Sequence, residues 1–248
     1  MQPTRRQILR AGGAAAAAAA GMPGLHARGA AADTAQSEAI IDTHQHLWDL
    51  RRFRLPWLDG AGAVLNHTHT MEDYLRAAEG LSVVRAVYME VAVEARQRAE
   101  EAHYVVGLCR GKNGPTVAAV IGGAPEQDDF NEYIGRFKDS PYVKGVRSSF
   151  DAGRGSERFI KSLRLLGQLG MSYDINTGPG GLEAAAAVAE QCPDTRFVLD
   201  HCGNIDPALF AKAAPRDSNT RAPMGARNYF GRGARQRGVQ DFRGNGGR

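Results

Sequence analysis

Six short apolar runs punctuate the chain at a nearly constant interval, and that rhythm limits the folds open to it. AIIDTH, VVRAVYMEV, TVAAVIGGA, YVKGVRSSF, MSYDINT and RFVLDHCG are near-continuous apolar stretches bounded by polar residues or glycine, as strands buried on both faces are. With Asp42, Met89, Ile121, Arg147, Asp174 and Asp200 marking their ends, the intervals are 47, 32, 26, 27 and 26 residues. The last four fit single strand–helix units. The stretches between them, MEDYLRAAEG, EARQRAEEAHYVVGLCR, DDFNEYIGRF, SERFIKSLRLLGQLG and GGLEAAAAVAEQC, read as helices. Alternation of this kind builds a parallel sheet covered by helices, either doubly wound or closed as a (β/α)8 barrel. A dinucleotide fold lacks its fingerprint, because the first strand ends in histidines and not in G-x-G-x-x-G. The long first interval makes an extended loop, RRFRLPWLDGAGAVLNHTHT, at the strand end where barrels build their sites.

The formal charge of +4 belongs to the two ends of the chain. Residues 1–32 hold four arginines and no acid, residues 215–248 hold eight arginines and two aspartates, and the stretch between holds 19 Lys/Arg against 25 Asp/Glu. An acidic body argues against a nucleic-acid partner. TRRQILR followed by AGGAAAAAAAG and then Ala30, Ala31 and Ala32 reads as a signal peptide over residues 1–32, with Arg5, Arg6 and Leu9 in twin-arginine style. Its apolar run falls short of the roughly 20 residues of a span, so the expectation is a periplasmic or secreted protein with no membrane attachment after cleavage. Residues 33–214 supply 182 residues and six units, where a complete eight-unit barrel takes about 250. The expected fold is therefore an incomplete TIM-type barrel. Residues 215–248 contain no leucine, isoleucine, lysine or glutamate and read as a disordered Arg/Gly-rich tail, natural or produced by a frame shift near residue 214. Cys109, Cys192 and Cys202 are too few for a disulfide framework or a zinc ribbon; one pair could form and leave an odd thiol, and Cys202 reads as a buried structural cysteine.

Three histidines stand where strand ends deliver side chains. His44 and His46 close the first strand in IIDTHQHLWDL, and positions i and i+2 face the same way. Two neutral imidazoles so placed can share a Zn²⁺ or similar ion, or polarise a carbonyl together. His201 closes the sixth strand in FVLDHCGN, where alternation sends Asp200 and His201 to opposite faces; His201 is assigned to the interior and Asp200 to the adjoining loop. A second pair, His67 and His69 in NHTHT, follows no strand and reads as loop or solvated surface, with Thr70 as N-cap of the helix after it. Arg147, near the end of strand four, can fork onto a substrate oxyanion, and Lys144 falls on the opposite face. Glu90 and Asp174, at the ends of strands two and five, are further candidates for substrate contact.

IIDTHQHLWD, RLPWLDG, VKGVR and RFVLDHCGN together resemble the amidohydrolase-related family of TIM-barrel hydrolases, in the branch of sugar-lactone and pyrone-dicarboxylate lactonases. The likeness runs from about Ile40 to about Phe210. It implies hydrolysis of a small, oxygen-rich lactone, with His44, His46 and His201 lining the catalytic site. Several relatives hold one divalent metal, here placed on His44 and His46, while some members of the branch work without one. The family also places an aspartate after an eighth strand, in a block with tryptophan and proline; this chain has no such block, and the two aspartates of residues 215–248, Asp217 and Asp241, sit in the Arg/Gly-rich stretch with no strand before them. That carboxylate would be a metal ligand or general base, so its absence leaves activity open. The superfamily's metal-dependent decarboxylases give a second expectation, and a non-catalytic remnant keeping six units gives a third.

Overall fold

The structure is a computed structural model and describes residues 38–151 and 155–206. The expected signal peptide and Arg/Gly-rich tail lie outside the described residues. Strands β1 (Ile40–Gln45), β2 (Val83–Met89), β3 (Thr116–Gly122), β4 (Val143–Ser149), β5 (Ser172–Asn176) and β6 (Arg196–Leu199) form one sheet in chain order. Every neighbouring pair is parallel. Between the strands run α1 (Met71–Ala77), α2 (Arg98–Gly111), α3 (Phe130–Gly135), α4 (Glu157–Gln168) and α5 (Leu182–Gln191). This is an incomplete TIM barrel: among the described residues the sheet stops at β6, and β1 and β6 are its edges.

Helices α1 and α4 are capped by side chains, whereas α2, α3 and α5 have no side-chain cap. Thr70 caps α1 in a full capping box with Asp73, as its position in the sequence implies. Ser156 caps α4 by accepting the Phe159 N–H, and Phe159, Ile160, Leu163 and Leu166 then form one buried stripe while Arg158, Lys161 and Arg164 face away from it. That stripe meets the sheet, with the Phe159 ring edge-on to Tyr173 of β5 at 5.8 Å. Burial of side chains such as Leu163 and Leu166, each fully covered, stabilises by about 1.5–3 kcal/mol apiece. Close strand approach has its own requirement at Gly145, where a Cβ would meet Ser172 Oγ at 2.1 Å.

The long connection after β1 adds Leu47, Trp48, Phe53, Leu55 and Leu58 to the common hydrophobic core. Side-chain bonds fasten it to the rim. Gln97 donates to the Arg52 carbonyl at 2.9 Å and accepts the Arg54 N–H at 2.7 Å, and Trp57 Nε1 donates to the Val91 carbonyl at 2.8 Å. The loop is thereby ordered over the carboxyl ends of β1 and β2.

Candidate active site

β1 ends in a bulge. Asp42 pairs with Ala86 and Gln45 with Tyr88, three steps on β1 against two on β2, and such an extra residue re-aims the side chains around it. Asp42 holds the bulge, accepting the His44 N–H at 3.0 Å and the Tyr74 hydroxyl of α1 at 2.9 Å. His44 and His46 emerge half-buried with their rings 4.8 Å apart and nearly perpendicular. His46 Nδ1 lies 2.9 Å from the Met89 carbonyl. A carbonyl only accepts, so the proton sits on Nδ1 and Nε2 keeps its lone pair. Burial depresses the His46 pKa to about 4 and also lowers that of His44, so both imidazoles are neutral near pH 7. His44 Nε2 is buried with no hydrogen-bond partner.

The end of β6 brings a third ring to this pair. His201 is exposed and its ring lies 4.5 Å from that of His44. The sequence assigned only one of Asp200 and His201 to the interior; the structure corrects that assignment, because both turn toward the site. Strict alternation requires extended backbone, and extension stops here: His201, Cys202, Gly203 and Asn204 have φ of 51°, 53°, 74° and 50°, a left-handed turn. Asn204 anchors the turn by donating to Asn176 Oδ1 and the Thr177 carbonyl, both at 2.9 Å. Asp200, in extended conformation just before the turn, is 3% exposed and makes no side-chain cap. The turn also corrects the reading of Cys202 as buried: it is exposed, whereas Cys109 and Cys192 are buried free thiols.

Beneath the rim lies a charged cluster. Arg147 is 8% exposed; its Nε donates to Asp200 Oδ2 at 2.6 Å and its Nη1 to Glu90 Oε1 at 3.0 Å. Glu90 Oε2 accepts the Ala92 N–H at 2.7 Å. Asp174, 4% exposed and paired in register with Arg147, accepts the Ser172 hydroxyl at 2.8 Å. Burial pushes the Asp174 carboxyl up to about 6 and raises Glu90 too, against the pull of Arg147. The three residues nominated for substrate contact are thus brought together, with Arg147 and Glu90 bonded to one another. Lys144 is exposed on the other face. The sequence reading missed Asp200 in this cluster, although the Gly203–Asn204 pair signals a left-handed turn that ends alternation. It also missed Glu101 of α2, buried against Tyr88, whose position inside a charge-rich helix gave no sign of burial.

The NHTHT segment is not plain solvated loop. Trp48 and His69 exchange backbone hydrogen bonds at 2.9 and 2.8 Å in an antiparallel bridge, and His69 is half-buried.

A metal ion can be tested against this donor set. His44 and His46 offer two neutral imidazoles, one with an orphaned Nε2 and one whose tautomer leaves Nε2 as a donor to an ion. Second bonds of the kind His46 makes to a carbonyl orient metal-ligating histidines. The pair fits as two ligands; among the described residues no group of three His, Cys, Asp or Glu is arranged to hold an ion.

Residues 41–230 match the amidohydrolase family. The chain belongs to that family. The fold agrees: a zinc-bound amidohydrolase from Burkholderia multivorans superposes with a TM-score of 0.54 at 21% identity, over 68% of this chain and 59% of that one. Amidohydrolase 2 from Bifidobacterium longum subsp. infantis gives 0.52 at 23% identity, over 75% and 67%. A probable 2-pyrone-4,6-dicarboxylic acid hydrolase from Acinetobacter baumannii, holding citric acid, gives 0.52 at 15% identity, over 67% and 60%. The uncharacterised protein y4mH of Sinorhizobium fredii is 25% identical over 187 residues, 66% of this chain and 62% of that protein. This amidohydrolase chain therefore spans less than two thirds of the length of that relative.

Proposed function

We propose that this amidohydrolase opens a small lactone bearing an acid group, by attack of water on the ring carbonyl. The observation that carries the reading is the convergence of three imidazoles, from the ends of β1 and β6, above a buried Arg147–Asp200 pair. The resemblance of the fold to a pyrone-dicarboxylic acid hydrolase supports the substrate class. His46, neutral with an accepting Nε2, orients the attacking water and receives its proton. The carbonyl carbon gains that oxygen and the ring C–O bond breaks. His201, exposed beside His44, donates a proton to the departing alkoxide and regains one from solvent as His46 releases the one it took, so that lactone and water become one hydroxy acid. Arg147, whose guanidinium is paired with Asp200 and Glu90, is the residue proposed to orient the acid end of the substrate. As the alternative to His46 acting as base, a divalent cation held by His44 and His46 would take the lone pair of His46 Nε2 and would supply Lewis acidity toward a substrate or water oxygen.

The proposed setting is the periplasm after twin-arginine export, with a small molecule and no nucleic acid or membrane as partner; a fusion of residues 1–32 to a reporter tests the address. For the chemistry, the His44→Ala variant is compared with wild type on a panel of sugar-acid and dicarboxylate lactones. We expect lactone opening to fall by at least about 10²-fold, the lower range for losing a positioned acid–base group, with the far-UV circular dichroism unchanged. Equal turnover by the two proteins would remove the assignment.

A further inference from the structure

We propose a second metal site, distinct in sequence and in residues from the His44–His46 pair: an imidazole-preferring divalent transition ion bound by His67 and His69 on the loop that follows β1. Four bonds hold the segment. Trp48 and His69 exchange both backbone hydrogen bonds, Trp48 Nε1 donates to the His67 carbonyl at 2.6 Å, and the Leu50 N–H donates to Thr68 Oγ1 at 3.1 Å. His69 lies in the bridge itself, and His67 sits in the bend just before it, its backbone N–H bonded to the Leu65 carbonyl at 2.8 Å. The two rings lie 4.0 Å apart, and the Trp48 ring covers His69 edge-on at 4.5 Å.

The bonding of the ring atoms points to a ligand. His69 Nε2 is buried and has no hydrogen-bond partner, a cost that a bound ion removes by taking the lone pair. His67 is exposed, so its ring can turn to admit the ion. An imidazole ligates metal through the lone pair of an unprotonated ring nitrogen. Two imidazole donors suit zinc, copper or nickel better than magnesium or calcium, which take oxygen. No third His, Cys, Asp or Glu completes the group among the described residues, so water would fill the remaining positions from the side of the exposed His67 ring. The reading does not depend on the lactone chemistry proposed above.

Zinc binding to the full chain by isothermal titration tests it, with wild type, His44→Ala/His46→Ala and His67→Ala/His69→Ala compared. We expect the His44→Ala/His46→Ala protein to keep one saturable zinc equivalent and the His67→Ala/His69→Ala protein to lose it. Because both loop histidines could be replaced with some loss of order, His67→Ala alone, at an exposed position, is measured too and should weaken that equivalent at least tenfold. Zinc uptake that is indifferent to His67 and His69, or absent once His44 and His46 are replaced, overturns the proposal.

Discussion

Arg147 is the residue on which the buried charges of the site depend. Among the described residues its guanidinium is the cation bonded to both Asp200 and Glu90, and all three side chains are nearly closed to solvent. Removing one member of a buried, hydrogen-bonded ion group leaves the others without compensation, which costs about 3–5 kcal/mol, more than the intact group contributes over an apolar replacement. Arg147→Met is therefore expected to lower unfolding free energy by about that amount in urea melts, and Arg147→Met combined with Asp200→Leu to recover part of it. A loss from the double variant equal to or larger than from the single would contradict the pairing. The role of Arg147 was half legible beforehand: its type and strand-end position marked it as important, but nothing in VKGVRSSF tells which carboxylates it meets. Those partners arrive from Glu90 and Asp200, 57 and 53 positions away.

At the scale of elements, the regular units were legible and the irregular joints were not. Strand runs and helix stretches are written in residue pattern and caps, so β1–β6 and α1–α5 lie where the apolar rhythm and Thr70 place them. The bulge between Asp42 and Gln45 and the turn at 201–204 depend on partners in other elements, Tyr74 for the first and Asn176 and Thr177 for the second. Period-two reasoning fails at such joints, and they are where His44, Asp200 and His201 are aimed. The turn holds non-glycine residues in left-handed backbone, each at about 1–2 kcal/mol. Cys202 is exposed and has φ of 53°, so Cys202→Gly relieves strain without emptying a packed position. Set against the greater freedom glycine has when unfolded, the expected gain is about 0.5–1 kcal/mol, read as a rise in the thermal midpoint. A lower midpoint would mean that the turn is not strained at this position.

The molecule as a whole closes its outer layer over acids that it cannot easily ionise. Glu101 of α2 is 2% exposed and ties three parts together, accepting the Tyr88 hydroxyl of β2 and the Val91 N–H, each at 2.8 Å, while Tyr88 also reaches the Leu47 carbonyl of the long loop. Its other oxygen has no partner. Burial, with Glu90 adding to it, raises the Glu101 carboxyl to about 7 from 4.5, and Asp174 rises in the same sense, to about 6. Between the unfolded and folded values the native protein binds more protons than the unfolded chain, so stability falls with rising pH in that window. The contribution is fully present below about pH 4.5 and is lost as pH passes 7; for Glu101 alone it amounts to about 3 kcal/mol. Glu101→Gln keeps an accepting oxygen for Tyr88 and Val91 and cannot ionise. Urea melts from pH 5 to pH 8 should therefore show the wild type losing stability steadily toward the alkaline end and the variant losing distinctly less. Parallel curves for the two proteins would show that Glu101 stays charged in the folded state and that the core accommodates it.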